Sequence, residues 1–129
     1  MSEFRFNPNS TVIIMPVDIK GKNDFIETLR LVVDTGATYT LLPWRIASSL
    51  GIELMTVQEK LDLTTASGVE KVPLISLESV KLGDKEVKNC KTVLHDLPSK
   101  SYADGLLGLS FLKNFKLAID FKTGVLGLE

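Results

Sequence analysis

Short apolar runs alternate with clusters of turn-forming residues along most of the chain, at intervals of about 8 to 12 residues. Within several runs apolar and polar side chains alternate, as they do in a strand that buries one face. The pattern predicts strands at residues 11–19, 25–34, 61–65, 70–75, 76–82, 86–94, 116–121 and 125–128. Many short strands joined by turns indicate an all-β sandwich or barrel.

Two segments depart from this alternation and predict short helices. Residues 43–50 begin with Pro43 and are followed by Gly51. Proline is favoured in the first turn of a helix and glycine just after its end, so these residues mark both boundaries. The second predicted helix covers residues 106–115.

The segments outside these elements are mostly polar. Residues 1–9 predict a polar N-terminal arm, and residues 99–104 predict a polar loop. Pro16 lies inside the first predicted strand, where it favours an edge position or a bulge because proline cannot donate a ladder hydrogen bond.

The composition is that of a single globular domain. A length of 129 residues predicts one domain over residues 1–129. The chain is 44% hydrophobic, which is enough for a core, and 24% charged. Its 15 basic and 16 acidic residues leave a net charge of −1, and the basic residues are scattered. We therefore expect no nucleic-acid partner, which would need a basic patch.

The chain has no sequence signal for export or for membrane insertion. One cysteine excludes an internal disulfide and is typical of a reducing compartment. The first ten residues contain no apolar signal core, and no apolar run approaches the roughly 18 residues that a membrane span needs. We expect a cytoplasmic protein, or a soluble part of a longer one.

One carboxylate stands out because it directly follows an apolar run. Residues 31–33 are Leu-Val-Val, and Asp34 comes next, although a buried charge is costly unless it is paired or hydrogen-bonded. Thr35 and Thr38 can donate hydroxyl hydrogen bonds, and Gly36 permits a tight turn close to the carboxylate. Asp, Thr and Gly are also ordinary turn formers, so a strand ending in an Asp-centred turn is the alternative.

Four further sequence features follow this acid along the chain, and their order is informative about the family. Residues 40–43 continue the apolar run, the short predicted helix follows, and residues 64–68 form a small-residue hairpin tip. Residues 103–109 then contain two apolar residues followed by glycine. With the Asp-Thr-Gly-Ala word, this order resembles the single-lobe, retropepsin-like aspartic proteases over roughly residues 11–128. The resemblance implies an all-β, closed acid-protease barrel or sandwich with one or two short helices.

The resemblance implies an aspartic endopeptidase in which Asp34 is catalytic. Two carboxyl groups about 3 Å apart share one proton, so one can activate water while the other protonates the scissile carbonyl. No second Asp-Thr-Gly or Asp-Ser-Gly word occurs, so the second carboxylate would be Asp34 of another subunit in a homodimer. The substrate would be a peptide or protein in extended conformation, and no cofactor or metal would be needed.

The same resemblance implies roles for the residues around the acid. Thr35 would brace the two acid loops across the dimer axis, Gly36 would offer its carbonyl to the substrate backbone, and Ala37 would keep the cleft wall small. Thr38 would support the loop, although turn capping is an alternative for both threonines.

Two more segments complete the implied site. The hairpin tip Ala66, Ser67 and Gly68 would form a flap that closes over the substrate. An ordinary hairpin turn is the alternative for these three residues. The implied structural element beneath the acid loop consists of Leu106, Leu107 and Gly108.

Other candidate groups have less support. Asp104 could be an in-chain partner of Asp34, but an Asp before Gly is more typical of a turn or cap. Cys90 and His95 could suggest a thiol protease, yet a buried free cysteine and a loop histidine are the better interpretation. A single His and a single Cys also give no credible zinc site. Trp44 could cover the acid loop or be exposed.

Two alternatives to a working protease stay open at this point. The chain could be a catalytically silent member of the fold that serves as a dimerisation or peptide-binding module, because a fold does not guarantee a function. It could also be an unrelated all-β binding domain whose Asp-Thr-Gly is a turn. The chain ends, residues 1–9 and 125–129, could interleave in a dimer sheet as in viral members, or be solvated.

Overall fold

The computed structural model describes residues 1–53, 57, 59–98 and 101–129. The two helices in this part of the chain have four residues each, and the remaining elements are strands. In chain order the elements are β1 Ser2–Arg5, β2 Ile14–Lys20, β3 Ile26–Val33, β4 Thr40–Leu42, α1 Ile46–Ser49, β5 Lys60–Thr65, β6 Gly68–Leu82, β7 Lys85–Leu94, β8 Gly105–Leu107, α2 Leu109–Leu112, β9 Leu117–Asp120 and β10 Val125–Leu128.

Six strands close into a barrel. Their order is β2-β3-β8-β4-β7-β6, and antiparallel pairing of Asp18–Lys20 on β2 with Ser79–Lys81 on β6 completes the ring. Strand β8 runs parallel to β3, and β4 runs parallel to β7, while the other long pairings are antiparallel. The predicted all-β closed barrel is therefore confirmed. Pro16 lies in β2 outside Asp18–Lys20, the stretch that pairs with β6. Its missing N–H therefore removes no hydrogen bond between β2 and β6.

The barrel is filled by apolar side chains from alternating strand positions. On β2, Met15, Val17 and Ile19 are at most 1% exposed, while Pro16 and Asp18 between them point outward. Phe111 of α2 is fully buried and packs in the same core. Helix α2, which immediately follows β8, therefore packs against the barrel core.

A second, three-stranded sheet joins the two chain ends. Strand β10 lies between β1 and β9, with Ser2 opposite Leu128 and Arg5 opposite Val125. The Phe4 ring packs so closely on Gly83 that a Cβ there would lie 2.4 Å from a ring carbon. The predicted polar arm over residues 1–9 is thus corrected for Ser2–Arg5, which form a strand paired within the same chain.

The other differences from the predicted elements are local. The helix expected at 106–115 is wrong in its first part, because Leu106 pairs with both Val32 on β3 and Leu41 on β4. The helix expected at 43–50 is limited to Ile46–Ser49, and the strands expected at 70–75 and 76–82 form one continuous strand, β6. Ser99 and Lys100 of the predicted polar loop lie outside the described residues.

Candidate active site

Asp34 begins the turn that directly follows strand β3. Its backbone N–H donates to the Leu107 carbonyl at 3.0 Å, which continues the parallel pairing of β3 with β8. Its side chain is half-buried, and the Gly36 N–H donates to Asp34 Oδ1 at 2.8 Å. The Ala37 N–H donates to the Asp34 carbonyl at 3.3 Å and closes the turn. The carboxylate is therefore oriented by a main-chain donor within its own loop.

The loop after the acid presents its threonines outward. Thr35, Gly36 and Thr38 are exposed, and Ala37 is half-buried. The donor that holds Asp34 Oδ1 is the Gly36 amide, not one of the threonine hydroxyls that the sequence offered as donors. In this single chain the Thr35 side chain thus lies at the surface beside the acid.

The apolar-apolar-glycine segment lies against this loop. The Ala37 carbonyl accepts the Leu109 N–H at 2.8 Å, and the Thr38 carbonyl accepts the Ser110 N–H at 3.0 Å. A Cβ at Gly108 would lie 2.5 Å from the Tyr39 carbonyl oxygen, so any larger residue would push the loop away. The structure brings Leu107 and Gly108 into direct contact with the acid loop.

A pair of hydroxyl residues next to the acid loop, Thr40 and the partly buried Ser110, was not predicted from the sequence. Thr40 is fully buried, and its Oγ1 accepts hydrogen bonds from the Gly108 N–H at 3.2 Å and from the Ser110 hydroxyl at 3.1 Å. The Thr40 N–H donates in turn to Ser110 Oγ at 2.9 Å. The available signal was a hydroxyl residue inside each of two apolar runs, but only the fold places them together.

The predicted flap is the β5–β6 hairpin. Thr65 pairs with Gly68, so Ala66 and Ser67 form the two-residue tip, and Gly68 has a φ of 125°, which glycine adopts readily. Ala66, Ser67 and Gly68 are all exposed. Further down the hairpin, Lys71 Nζ lies 2.5 Å from Asp62 Oδ1 and links its two strands.

An apolar cavity separates the hairpin from the acid loop. Its volume is about 480 Å³, and it extends from the loop residues 36–39 to residues 61–63 of strand β5. Leu41, Val93 and Leu106 line its inner wall. The fold therefore places the acid loop, the hairpin and the segment around Leu106 around one space, although they are far apart in sequence.

Asp34 itself lines a second cavity. Asp34 and Thr35 line it, together with Val12 and Phe121, and its volume is about 440 Å³. Val12 is 42% exposed and Phe121 is 65% exposed. Asp34 and Thr35 thus border an exposed apolar surface in the isolated chain.

Asp104 is not an in-chain partner of Asp34. Its carboxylate pairs with Arg45, whose Nη2 lies 3.2 Å from Oδ1, and its amide donates to the Arg30 carbonyl. Arg30 lies four residues before Asp34 on an extended strand, which corresponds to roughly 13 Å at about 3.3 Å per residue. The alternative in which one chain supplies both carboxylates through Asp104 is therefore wrong.

Cys90 and His95 are held in separate environments. Cys90 is 1% exposed, and burial raises the pKa of its thiol, so the nucleophilic thiolate is disfavoured. His95 Nδ1 lies 3.6 Å from Glu70 Oε2 on the hairpin.

Trp44 is 38% exposed, and its backbone N–H donates to Asp96 Oδ1 at 3.0 Å. Within the described ranges, no three His, Cys, Asp or Glu side chains cluster as a metal site would require.

Comparison with known proteins places these features in a family. Residues 17–114 match the family model described as gag-polyprotein putative aspartyl protease. The fold is similar to the crystal structure of a retropepsin-like aspartic protease from Rickettsia conorii, with 29% sequence identity and a TM-score of 0.71. That similarity covers 98% of each chain. A search of curated protein sequences found no match. Within the described part of the chain, no helix has the length and apolarity to cross a bilayer.

Proposed function

Because this chain belongs to the gag-polyprotein putative aspartyl protease family and has a retropepsin-like fold, we propose that it is an aspartic endopeptidase that acts as a homodimer. The observation that carries the proposal is the position of Asp34. Its carboxylate is oriented by the Gly36 amide at 2.8 Å, and the loop residues that follow it, 36–39, line the cavity between the acid loop and the hairpin.

The proposed reaction needs two carboxyl groups, and each subunit supplies one. An ionised Asp34 takes a proton from a water held between the two side chains, and the water oxygen attacks the scissile carbonyl carbon. The protonated Asp34 of the other subunit donates its proton to the carbonyl oxygen. The tetrahedral intermediate then collapses and the C–N bond breaks. The departing nitrogen takes the proton that the first Asp34 received from water, and the second Asp34 takes one proton back from a hydroxyl of the intermediate.

The surface around the acid supports a two-fold contact at this place. Thr35 is exposed next to Asp34, and the adjoining cavity carries the exposed apolar side chains of Val12 and Phe121. An isolated chain would leave this apolar surface in water, and a symmetric contact would cover it while bringing the two acids together. Thr35 then has a partner hydroxyl within reach, in the role that the family resemblance implies.

The cavity on the hairpin side fits an extended peptide. Its inner wall is apolar, formed by Leu41, Val93 and Leu106, and its rim is the main chain of the acid loop. An extended peptide binds such a site with main-chain hydrogen bonds and places alternate side chains in pockets. The tip Ala66–Gly68 acts as the flap that limits water during the reaction.

The test is cleavage of a mixed peptide pool between pH 4 and 7 at several protein concentrations. We expect cleavage to rise faster than linearly with protein concentration, because the active site forms only in the dimer. Asp34→Asn removes the ionisable group with little change in shape, so it should abolish cleavage and leave thermal unfolding unchanged. Strictly linear dependence on concentration contradicts the dimer, and equal cleavage by Asp34→Asn contradicts the catalytic role.

The silent-module alternative has its own outcome in the same experiment. A folded dimer that binds peptides from the pool without cutting them would favour a peptide-binding or dimerisation role. Analytical ultracentrifugation of the samples used for the assay separates this result from the failure of an unassembled monomer.

A further inference from the structure

The reciprocal hydrogen bonds between Thr40 and Ser110 connect two distant parts of the chain. The Thr40 N–H donates to Ser110 Oγ at 2.9 Å, and the Ser110 hydroxyl donates back to Thr40 Oγ1 at 3.1 Å. Thr40 begins strand β4 and Ser110 lies in helix α2, 70 positions later. These hydrogen bonds connect the end of the acid loop to helix α2, which packs against the barrel core.

The same pair also holds the segment that fixes the main chain of the acid. Thr40 Oγ1 accepts the N–H of Gly108 at 3.2 Å. The preceding residue, Leu107, accepts the Asp34 N–H through its carbonyl at 3.0 Å. A continuous path of hydrogen bonds and main chain therefore runs from the two hydroxyls to the backbone of Asp34.

The Cys90 thiol adjoins the hydroxyl pair. The Cys90 thiol lies 3.6 Å from Ser110 Oγ, and burial raises the pKa of the thiol, so it keeps its proton and donates. Ser110 Oγ then accepts from both Cys90 and the Thr40 N–H. Its single hydrogen is left to point at Thr40 Oγ1, because a hydroxyl has one donor and two acceptor lone pairs.

We propose that Thr40 and Ser110 are positioning residues for the Asp34 carboxylate. Each subunit must present its acid at a distance that lets two carboxyl groups share one proton, and catalysis falls steeply when a reacting group is displaced by about 1 Å. The Thr40–Ser110 hydroxyl pair sets this geometry through the hydrogen bonds to the segment that holds the acid. This role rests on the proposed endopeptidase function.

The chain offers a closely matched control at Thr92. Thr92 lies opposite Thr40 in the parallel register of β4 and β7, and both residues are fully buried. The Thr92 hydroxyl donates to the Cys90 carbonyl at 3.2 Å, within its own strand. Thr92 also neighbours the Cys90 thiol, but Thr92→Val removes the same group at the same depth and keeps the hydrogen bonds among Thr40, Ser110 and Gly108.

The experiment measures kcat and KM for a peptide that the wild type cleaves, together with thermal unfolding, for Thr40→Val, Thr40→Ser and Thr92→Val. We expect Thr40→Val to lower kcat about tenfold or more with a much smaller change in KM. Thr40→Ser keeps the hydroxyl and should restore kcat to within about threefold of the wild type. Thr92→Val should keep its kcat even where its melting temperature falls as far as that of Thr40→Val.

The outcomes separate this role from the proposed function. If the wild type cleaves and Thr40→Val keeps its kcat, or if Thr40→Val and Thr92→Val lose kcat equally, the positioning role is overturned alone. A wild-type dimer without cleavage overturns the endopeptidase and this role with it. Should Thr40→Val not fold, Ser110→Ala removes the other hydroxyl at a partly buried position, and an unchanged kcat there overturns the role.

Discussion

Asp104 and Arg30 are joined by two hydrogen bonds, one between their main chains and one from the Arg30 main chain to the Asp104 carboxylate. The Asp104 N–H donates to the Arg30 carbonyl at 2.8 Å, and the Arg30 N–H donates to Asp104 Oδ2 at 2.8 Å. Asp104 directly precedes strand β8, whose first residue, Gly105, lies opposite Leu31. The bonds therefore start the parallel pairing of β3 with β8, and that pairing ends at the amide of Asp34.

Replacing Asp104 should lower stability and leave the chemistry intact. Asp104→Ala leaves the Arg30 amide without its acceptor, so we expect the free energy of unfolding to fall by about 1–2 kcal/mol. Asp104→Asn keeps an acceptor oxygen and should lose less. Cleavage per folded dimer should stay near the wild-type value, measured beside urea unfolding curves.

Arg45→Ala is the control for the charge of Asp104. Arg45 contacts both Asp104 and Glu27, but its side chain is 58% exposed, so losing it should cost less than about 1 kcal/mol. If Arg45→Ala destabilises the protein as much as Asp104→Ala, the ion pair rather than the bond to Arg30 is the important contact. Loss of cleavage by a stably folded Asp104→Ala would contradict its structural role.

Gly108→Ala should displace the acid loop. Its φ of −98° is accessible to any residue, so the expected cost is steric, from a Cβ placed 2.5 Å from the Tyr39 carbonyl oxygen. We expect a loss of about 1–3 kcal/mol in stability, typical of an overpacked site, and a marked loss of cleavage. Thermal unfolding and peptide cleavage measure the two effects on the same samples.

The contrast for Gly108→Ala is Gly68→Ala at the hairpin tip. A Cβ at Gly68 meets nothing within 4 Å, but its φ of 125° disfavours any other residue. This substitution should therefore destabilise the hairpin locally. We expect KM to change while the melting temperature stays close to that of the wild type. Equal melting temperatures for Gly108→Ala and the wild type would show that the acid loop accommodates the added Cβ with no loss of stability.

Stability should fall on acidification, in part through Asp120. Hydrogen bonds from the Thr123 amide and hydroxyl, and from the Lys122 amide, hold the pKa of Asp120 below its usual value. The unfolded chain therefore binds this proton more readily than the folded chain does. The contribution is fully present above the unfolded pKa, near 4, and is lost as the pH falls through the lower folded pKa.

Two other carboxylates add to the same trend. The Ser2 hydroxyl lowers the pKa of Asp84, and the Ser79 hydroxyl lowers the pKa of Glu86. Urea midpoints measured from pH 6 down to pH 2 should fall with pH in the wild type, and fall less steeply in Asp120→Asn. An identical slope in both proteins would rule out a contribution from Asp120.

The Cys90 thiol should be unreactive in the native protein. The residue is 1% exposed, and burial raises the pKa of the thiol, so both access and thiolate formation are disfavoured. An aromatic disulfide reagent should modify it at a rate that increases with urea in parallel with unfolding. Rapid modification without denaturant would contradict the buried position.

The local pattern of the chain determined most of the barrel. Strand periodicity and turn residues predicted the all-β class, the β5–β6 hairpin and the position of Asp34 after an apolar strand, and the Asp-Thr-Gly-Ala word indicated the family. These features depend on residues that are close in sequence: a two-residue alternation predicts one buried face, and Gly or Pro predicts where a strand or helix stops.

Only the tertiary structure decided how these pieces meet. Leu106 could have continued a helix, but β8 lies between β3 and β4, where ladder hydrogen bonds from both sides hold it in a strand. The contact of Thr40 with Ser110, and the pairing of Ser2–Arg5 with β10, join residues 70 or more positions apart. Such contacts depend on burial and pairing across the whole barrel, and these are properties that no local sequence pattern carries.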